Sequence, residues 1–162
     1  MGRRNTAKRG TGHTYNPSGV AAALSGLIAG AVRRQPRDMS LTSVSTLSTL
    51  DRTGPRRITD LAAIEGVTQP SMTVLVTALE RTGLVERQGD PADKRVALVA
   101  LTAAGLDYVR TRRRTSAESF ERLIAELPTD EATALSAAIP ALKHLQELDN
   151  QQREPATRPP VG

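Results

Sequence analysis

Residues 69–81, QPSMTVLVTALER, carry two kinds of chemistry in one short stretch. Met72, Leu75, Val76 and Leu79 fall at i, i+3, i+4 and i+7, the spacing of a single buried helical stripe. At 100° per residue this leaves Pro70, Thr73, Val74, Thr77 and Arg81 on the opposite face, with Gln69 and Ser71 at the N-terminal end. Gln can pair bidentately with adenine, Ser and Thr can bond several base edges, and Val or a Thr methyl can touch a thymine methyl. The free backbone N–H groups at such a helix start also favour phosphate. No carboxylate precedes Glu80 on this stretch, so nothing acidic would oppose a polyanion. A face meant only for solvation usually carries Glu and Lys pairs. This one suits contact with double-stranded DNA.

A second group of candidates follows at residues 89–95, GDPADKR. Lys94 and Arg95 sit in a turn-rich tip that could enter the narrow minor groove, where the negative potential is high. Asp93, two residues from Arg95, could hold its guanidinium, and Arg87 lies just before the tip. Taken alone, this is an ordinary charged hairpin turn; directly after a base-reading helix it becomes a candidate wing. Arg56, Arg57, Thr59 and Thr68 are candidate contacts to the DNA backbone.

Positioning these groups needs a particular order of elements. Thr59 is expected to cap a short helix with Leu61, Ala62 and Ile64 on its apolar side, after an extended Arg56-Arg57-Ile58, and Gly66 to end it. Thr68 is the next N-cap, Pro70 is a permitted helix start, and Gly83 ends the second helix. Residues 84–88 and 96–101 are rich in aliphatic and β-branched side chains, which predicts a hairpin with a long loop. Two short helices and then a hairpin make a winged helix-turn-helix, whose second helix can lie in a major groove.

The flanks read as helix. Residues 18–34 form a small-residue-rich helix that Pro36 ends. Ser40 caps a helix over 41–51, with Leu41, Val44, Leu47 and Leu50 every third residue; its many Ser and Thr give poor propensity, so packing must hold it. Thr102 caps a long helix from 103 to about 126, and residues 128–131 break it and start a last helix to about 148. Leu135, Ala138, Ile139, Leu142 and Leu145 share one face there. Residues 1–16 and 149–162 are polar, lack apolar periodicity and are expected to be disordered.

Composition removes several classes of function. The 162 residues include no Cys, which closes disulfides, thiolate metal sites and thiol redox sensing together. His13 and His144 are the two histidines, so no metal constellation is read, and no cofactor is implied. No nucleophile–base pair, paired carboxylates or Gly-rich phosphate loop is present, so the chain does not read as an enzyme. No apolar run spans a membrane and no secretory signal is read, which points to the cytoplasm. Residues 33–114 carry 14 basic and 9 acidic side chains, whereas residues 115–148 carry 2 and 6, so the winged segment is basic and the C-terminal helices are acidic.

The segment LERTGLVERQ-GDPADKRVALVALTAAG resembles the signature of the MarR family of bacterial transcription factors. Asp90, Asp93, Lys94, Arg95, Leu101, Thr102 and Gly105 match it position for position, and the resemblance runs from about residue 41 to 148. It implies a mainly α (α+β) fold: a winged helix-turn-helix lobe at about 41–101 within one domain over 17–148, with dimerisation helices at about 18–35 and 103–148. It further implies a homodimer, with Leu135, Ile139, Leu142 and Leu145 in the dimer contact, and a repressor that binds a pseudo-palindromic operator. Release by a small-molecule effector is also implied, with Arg33, Arg34 and Arg37 as candidate polar groups; a regulator without a ligand is the alternative. Arg110, Arg112, Arg113 and Arg114 fit either phosphate and partner contacts or a solvated face. The basic tail fits either an arm on DNA or a solubilising segment. Two other functions compete. A winged-helix protein–protein adaptor predicts an apolar or acidic outward face and a neutral tip, and a nonspecific DNA binder predicts no preference among sequences.

Overall fold

A computed structural model describes residues 16–91 and 95–153. The chain divides into two units, residues 1–35 and 36–162. The described part of the first is α1 (Pro17–Arg34), started by Asn16, whose side chain accepts from the Gly19 N–H at 2.9 Å. This helix buries none of its residues, and Val20, Leu27 and Ile28 are more than half exposed.

The second unit begins with α2 (Leu41–Thr53), capped by Ser40 as expected. It runs two residues past the sequence boundary, to Thr53, and Gly54 at φ 75° closes it. Its Ser and Thr are partly a core device. Thr46 and Thr49 are buried beside Leu47 and Leu50; Thr46 donates to the Thr42 carbonyl at 2.8 Å and Thr49 to Glu65 Oε1 at 2.9 Å. Each buried hydroxyl is thereby satisfied, which removes the cost of burying it.

Next come β1 (Arg56–Arg57), α3 (Ile58–Ile64), α4 (Gln69–Arg81), β2 (Val85–Gly89), β3 (Ala97–Leu101) and α5 (Ala103–Ala125). The sheet is antiparallel in the order β1-β3-β2, with Arg87 opposite Val99 and Arg56 also opposite Val99 on the other side. Two expectations change here. Arg57, not Thr59, is the N-cap of α3, and Ile58 is its first helical residue. The reason is the sheet: pairing with β3 holds Arg56 and Arg57 extended, and the turn into helix comes directly after the last ladder position. No side chain caps α3, and Thr59 instead lies exposed in its first turn. The hairpin matches the reading closely, with each strand starting one residue later than expected.

Leu47, Leu50, Leu61, Ala62, Met72, Val76, Leu79, Val85, Val99 and Val109 form the core. Every helix from α2 to the first turns of α5, and both hairpin strands, contribute to it.

The chain ends in α6 (Thr129–Ala137) and α7 (Ile139–Arg153), which replace the single last helix expected. Pro140 explains the break: it has no N–H for the carbonyl four residues back, and its ring crowds that turn. The helix also runs on to Arg153 rather than stopping near 148. Gln151, Gln152 and Arg153 tolerate helix well, and the next proline in the chain is Pro155. Among the described residues no helix is long and apolar enough to cross a membrane.

Candidate nucleic-acid interface

Helix α4 divides as its sequence predicts. Thr68 caps it by accepting from the Ser71 N–H at 3.4 Å, and Pro70 occupies the first turn. Met72, Val76 and Leu79 are buried and Leu75 is half-buried. Gln69, Pro70, Ser71, Thr73, Val74, Thr77 and Arg81 are all exposed, and Val74 reaches 72%. A β-branched aliphatic side chain that open to solvent, amid short hydroxyl side chains, suits apolar contact rather than solvation. The turn before the helix is fixed by Gly66 at φ 63° and the one after it by Gly83 at φ 73°, conformations costly for any residue with a Cβ.

Asp93 and Lys94 lie outside the described residues. Arg95 is exposed in the turn two residues before β3. At the start of the hairpin loop, Asp90 is held by its N–H to the Val96 carbonyl at 2.9 Å, and its carboxylate stands 3.5 Å from Arg57 of β1. Arg56 donates to Thr53 Oγ1 at 3.1 Å, so it is half-buried against the end of α2. Arg57, Thr59 and Thr68 are exposed.

Arg87 behaves differently from the other wing residues. It projects from β2 toward α4, where Nη2 donates to Thr77 Oγ1 at 3.1 Å and Nη1 stands 3.5 Å from Glu80 Oε2. The hairpin and α4 are thus linked through side chains that sequence spacing does not bring together.

A tight joint fixes α4 to α5. Thr102 caps α5 by accepting from the Gly105 N–H at 3.0 Å, its hydroxyl donates to the Gly83 carbonyl at 2.6 Å, and its own N–H bonds the Leu84 carbonyl at 3.1 Å. Gly105 lies so close to this strand that a Cβ would come within 2.0 Å of the Leu84 oxygen. The Leu-Thr-x-x-Gly pattern in the sequence is therefore a packing requirement.

The arginine cluster resolves into separate roles. Arg112 is largely buried; it stands 2.7 Å from Asp38 Oδ1, donates to Tyr108 Oη at 2.8 Å and lies 5.5 Å over the Tyr108 ring. Tyr108 Oη donates to Asp38 Oδ2 at 2.7 Å. That bond, with Arg112 beside it, holds the Asp38 carboxyl below its ordinary value against a smaller opposing effect of burial. Burial and the bond to Asp38 push the Tyr108 phenol up. Arg113 pairs with Asp51 of α2, and Arg114 stands 3.8 Å from Glu118 on the same helix. Arg112 and Arg113 therefore tie α5 to the chain around α2, Arg112 largely buried and Arg113 still more than half exposed. No linear signal in the sequence marks this cluster, whose members are up to 74 residues apart.

An open cleft of about 260 Å³ is lined by Leu50, Asp51, Pro55, Leu101, Thr102 and Leu106, among others. Arg37 is not part of its wall. No group of His, Cys, Asp and Glu suited to a metal occurs among the described residues.

Two short helices, the second with its outward face open, followed by a hairpin against a shared core, define a winged helix-turn-helix protein. Comparison with known proteins agrees. The model of the MarR family matches residues 39–97. An HTH-type transcriptional regulator of Mycobacterium tuberculosis is 33% identical over 106 residues, which cover 65% of this chain and 74% of the relative. Among solved structures, a transcriptional regulator from Thermotoga maritima superposes with a TM-score of 0.69 at 22% identity, covering 82% of this chain and 94% of that one. A mutant of Staphylococcus aureus MepR, solved bound to an oligodeoxyribonucleotide, gives 0.60 at 23% identity over 83% of this chain and 99% of that one. The chain belongs to the MarR family and is a helix-turn-helix transcriptional regulator.

Proposed function

We propose that this regulator works as a homodimeric repressor on a pseudo-palindromic operator. Helix α4 reads bases in the major groove through Gln69, Ser71, Thr73, Val74 and Thr77, and the tip of the hairpin, with Lys94 and Arg95, enters the minor groove. The observation that carries this reading is the outward face of α4: it is exposed from end to end, free of carboxylate until Glu80, and has Val74 open at its centre. An adaptor would present an apolar or acidic face there. The MepR structure with an oligodeoxyribonucleotide lends support from the same fold.

The dimer is inferred from apolar surface. Leu135, Ile139, Leu142, Leu145 and Leu148 are each 42–49% exposed, and α1 offers Val20, Leu27 and Ile28. Such helical stripes in one chain are the expected halves of a two-fold contact. The dimerisation regions are then residues 18–35 and 103–148, around a winged lobe at 41–101. Two-fold symmetry in the protein demands it in the DNA, which is why the operator should be an inverted repeat.

Selection of bound fragments from sheared genomic DNA of the source organism, at near-physiological salt, tests the proposal. A few recovered fragments sharing a pseudo-palindrome are expected. Uniform recovery that collapses with added salt would identify a nonspecific binder instead.

A further inference from the structure

Thr73 and Thr77 lie one turn apart on the exposed face of α4 and have the same side chain, yet their hydroxyls are committed differently. Thr73 Oγ1 donates to the Gln69 carbonyl at 2.9 Å, the usual bond of a helical threonine to the residue four back. Its one proton is used, so it offers only lone pairs to the outside. Thr77 makes no such bond. Its Oγ1 accepts a proton from Arg87 Nη2 at 3.1 Å, and Arg87 is in turn held by Glu80 at 3.5 Å.

We infer that Arg87 is a specificity-determining positioning residue that acts through Thr77. By filling one lone pair of Oγ1 with a cationic donor, it leaves the Thr77 proton free and makes the hydroxyl a better donor. The guanidinium also repels the amino groups of adenine and cytosine, which are donors themselves. Thr77 therefore seeks an acceptor on a base edge: N7 or O6 of guanine, N7 of adenine, or O4 of thymine. Thr73, with its proton spent, favours an amino donor, N6 of adenine or N4 of cytosine. Two identical side chains thus read opposite chemistry because one has an arginine behind it. The same arrangement neutralises Glu80, the first carboxylate on this helix, where it would otherwise face phosphate.

This inference rests on the DNA-reading role proposed for α4. It differs from a plain phosphate contact by Arg87 in what substitution should do. The test is operator binding by the full chain, in parallel for wild type, Arg87→Ala, Thr77→Val and the double variant. Each is measured against the selected operator, all base substitutions at each half-site position, and 7-deazapurine replacements at the purines. In both single variants discrimination should fall roughly three- to tenfold at the same position of each half-site, the loss of about one hydrogen bond. The double variant should lose no more than either single one, since the two residues act as a unit. Sensitivity to loss of the N7 acceptor, or to replacement of the O6 or O4 edge, should disappear at that position alone. The inference fails if Arg87→Ala weakens all operators equally and lowers the salt slope by about one, the behaviour of a phosphate contact. It also fails if the effects of the two substitutions add at different positions. Should the wild type select no operator, the DNA-reading role itself falls, and that outcome is visible before any variant is made.

Discussion

The winged lobe and the C-terminal helices are built from the same kind of pattern, with opposite results. In the lobe, Leu47, Leu61, Met72 and Val76 are wholly buried within one chain. In α6 and α7, Leu135, Ile139, Leu142 and Leu145 keep the same helical spacing and remain 42–49% exposed. No residue after Val109 belongs to the buried core of the described chain. The amphipathic stripe is equally plain in both sequences; what differs is whether the chain supplies a second surface. The lobe surrounds its stripe with a sheet and three helices, whereas α6 and α7 have chiefly each other. The lesson is that a helical pattern specifies that a face will be covered, and only topology specifies by what.

Three variants test this contrast. The largest effect is expected where the uncovered stripe is charged. Leu142→Asp with Leu145→Asp should raise the dimer dissociation constant at least about a thousandfold, since each lost side chain is worth about 2 kcal/mol and a two-fold contact counts it twice. Sedimentation equilibrium would read the change, with helical content retained. A chain equally dimeric after both changes would mean that this stripe is not the contact.

Breaking the self-sufficient region should cost less but strike at folding itself. Gly105→Ala places a methyl against the Leu84 carbonyl, backbone against backbone, and should destabilise the lobe by about 3 kcal/mol in chemical denaturation. An unchanged midpoint would show that α5 can move away from the strand freely.

The smallest effect is expected at the junction, where Asp38 meets Tyr108 and Arg112. Because Asp38 titrates lower in the folded chain, its contribution is present above its ordinary value of 3.8 and is lost as pH falls through the folded value. Tyr108 titrates higher in the folded chain, so its contribution is present below 10.0 and is lost as pH rises through its folded value. Asp38 is 45% exposed, so solvent weakens the pair. Asp38→Asn should therefore lower the melting temperature at pH 7 by no more than about 3 °C. The difference from wild type should shrink as pH falls below 3.8 and vanish once pH is below the lowered folded value; a difference independent of pH across that range would assign the effect to shape rather than charge.

Much of the lobe was legible beforehand because its signals are local. Thr68, Pro70, Gly66 and Gly83 mark ends that depend on a few adjacent residues, and the stripe at 72, 76 and 79 is a period. The misplaced details depend on partners distant in sequence. Arg57 rather than Thr59 starts α3 because β3, some 40 residues later, holds Arg56 and Arg57 extended. The Ser and Thr of α2 looked like weak helix formers, and two of them proved to be core residues with internal hydrogen bonds. The break between α6 and α7 is the exception: its cause, Pro140, is local, but it sits within an otherwise regular apolar stripe that by itself predicts one continuous helix. At the candidate interface the outward face of α4 follows from periodicity, but the reach of Arg87 to Thr77 follows from how the hairpin leans on the helix. No spacing rule contains that.

The joint at Thr102 has a mechanical consequence. Its bonds to Gly83 and Leu84, and the contact of Gly105 on the same strand, leave no slack between the end of α4 and the start of α5. Helix α5 has 23 residues, so it is a lever about 34 Å long. Because the joint is fixed, a rotation of the α4 end by about 10° carries the far end of α5 through about 6 Å. Read in reverse, a displacement of several ångströms among the distant helices reaches the α4 end only as a small rotation. The joint is a reduction gear: it turns coarse movement at one end of the molecule into fine angular adjustment at the other.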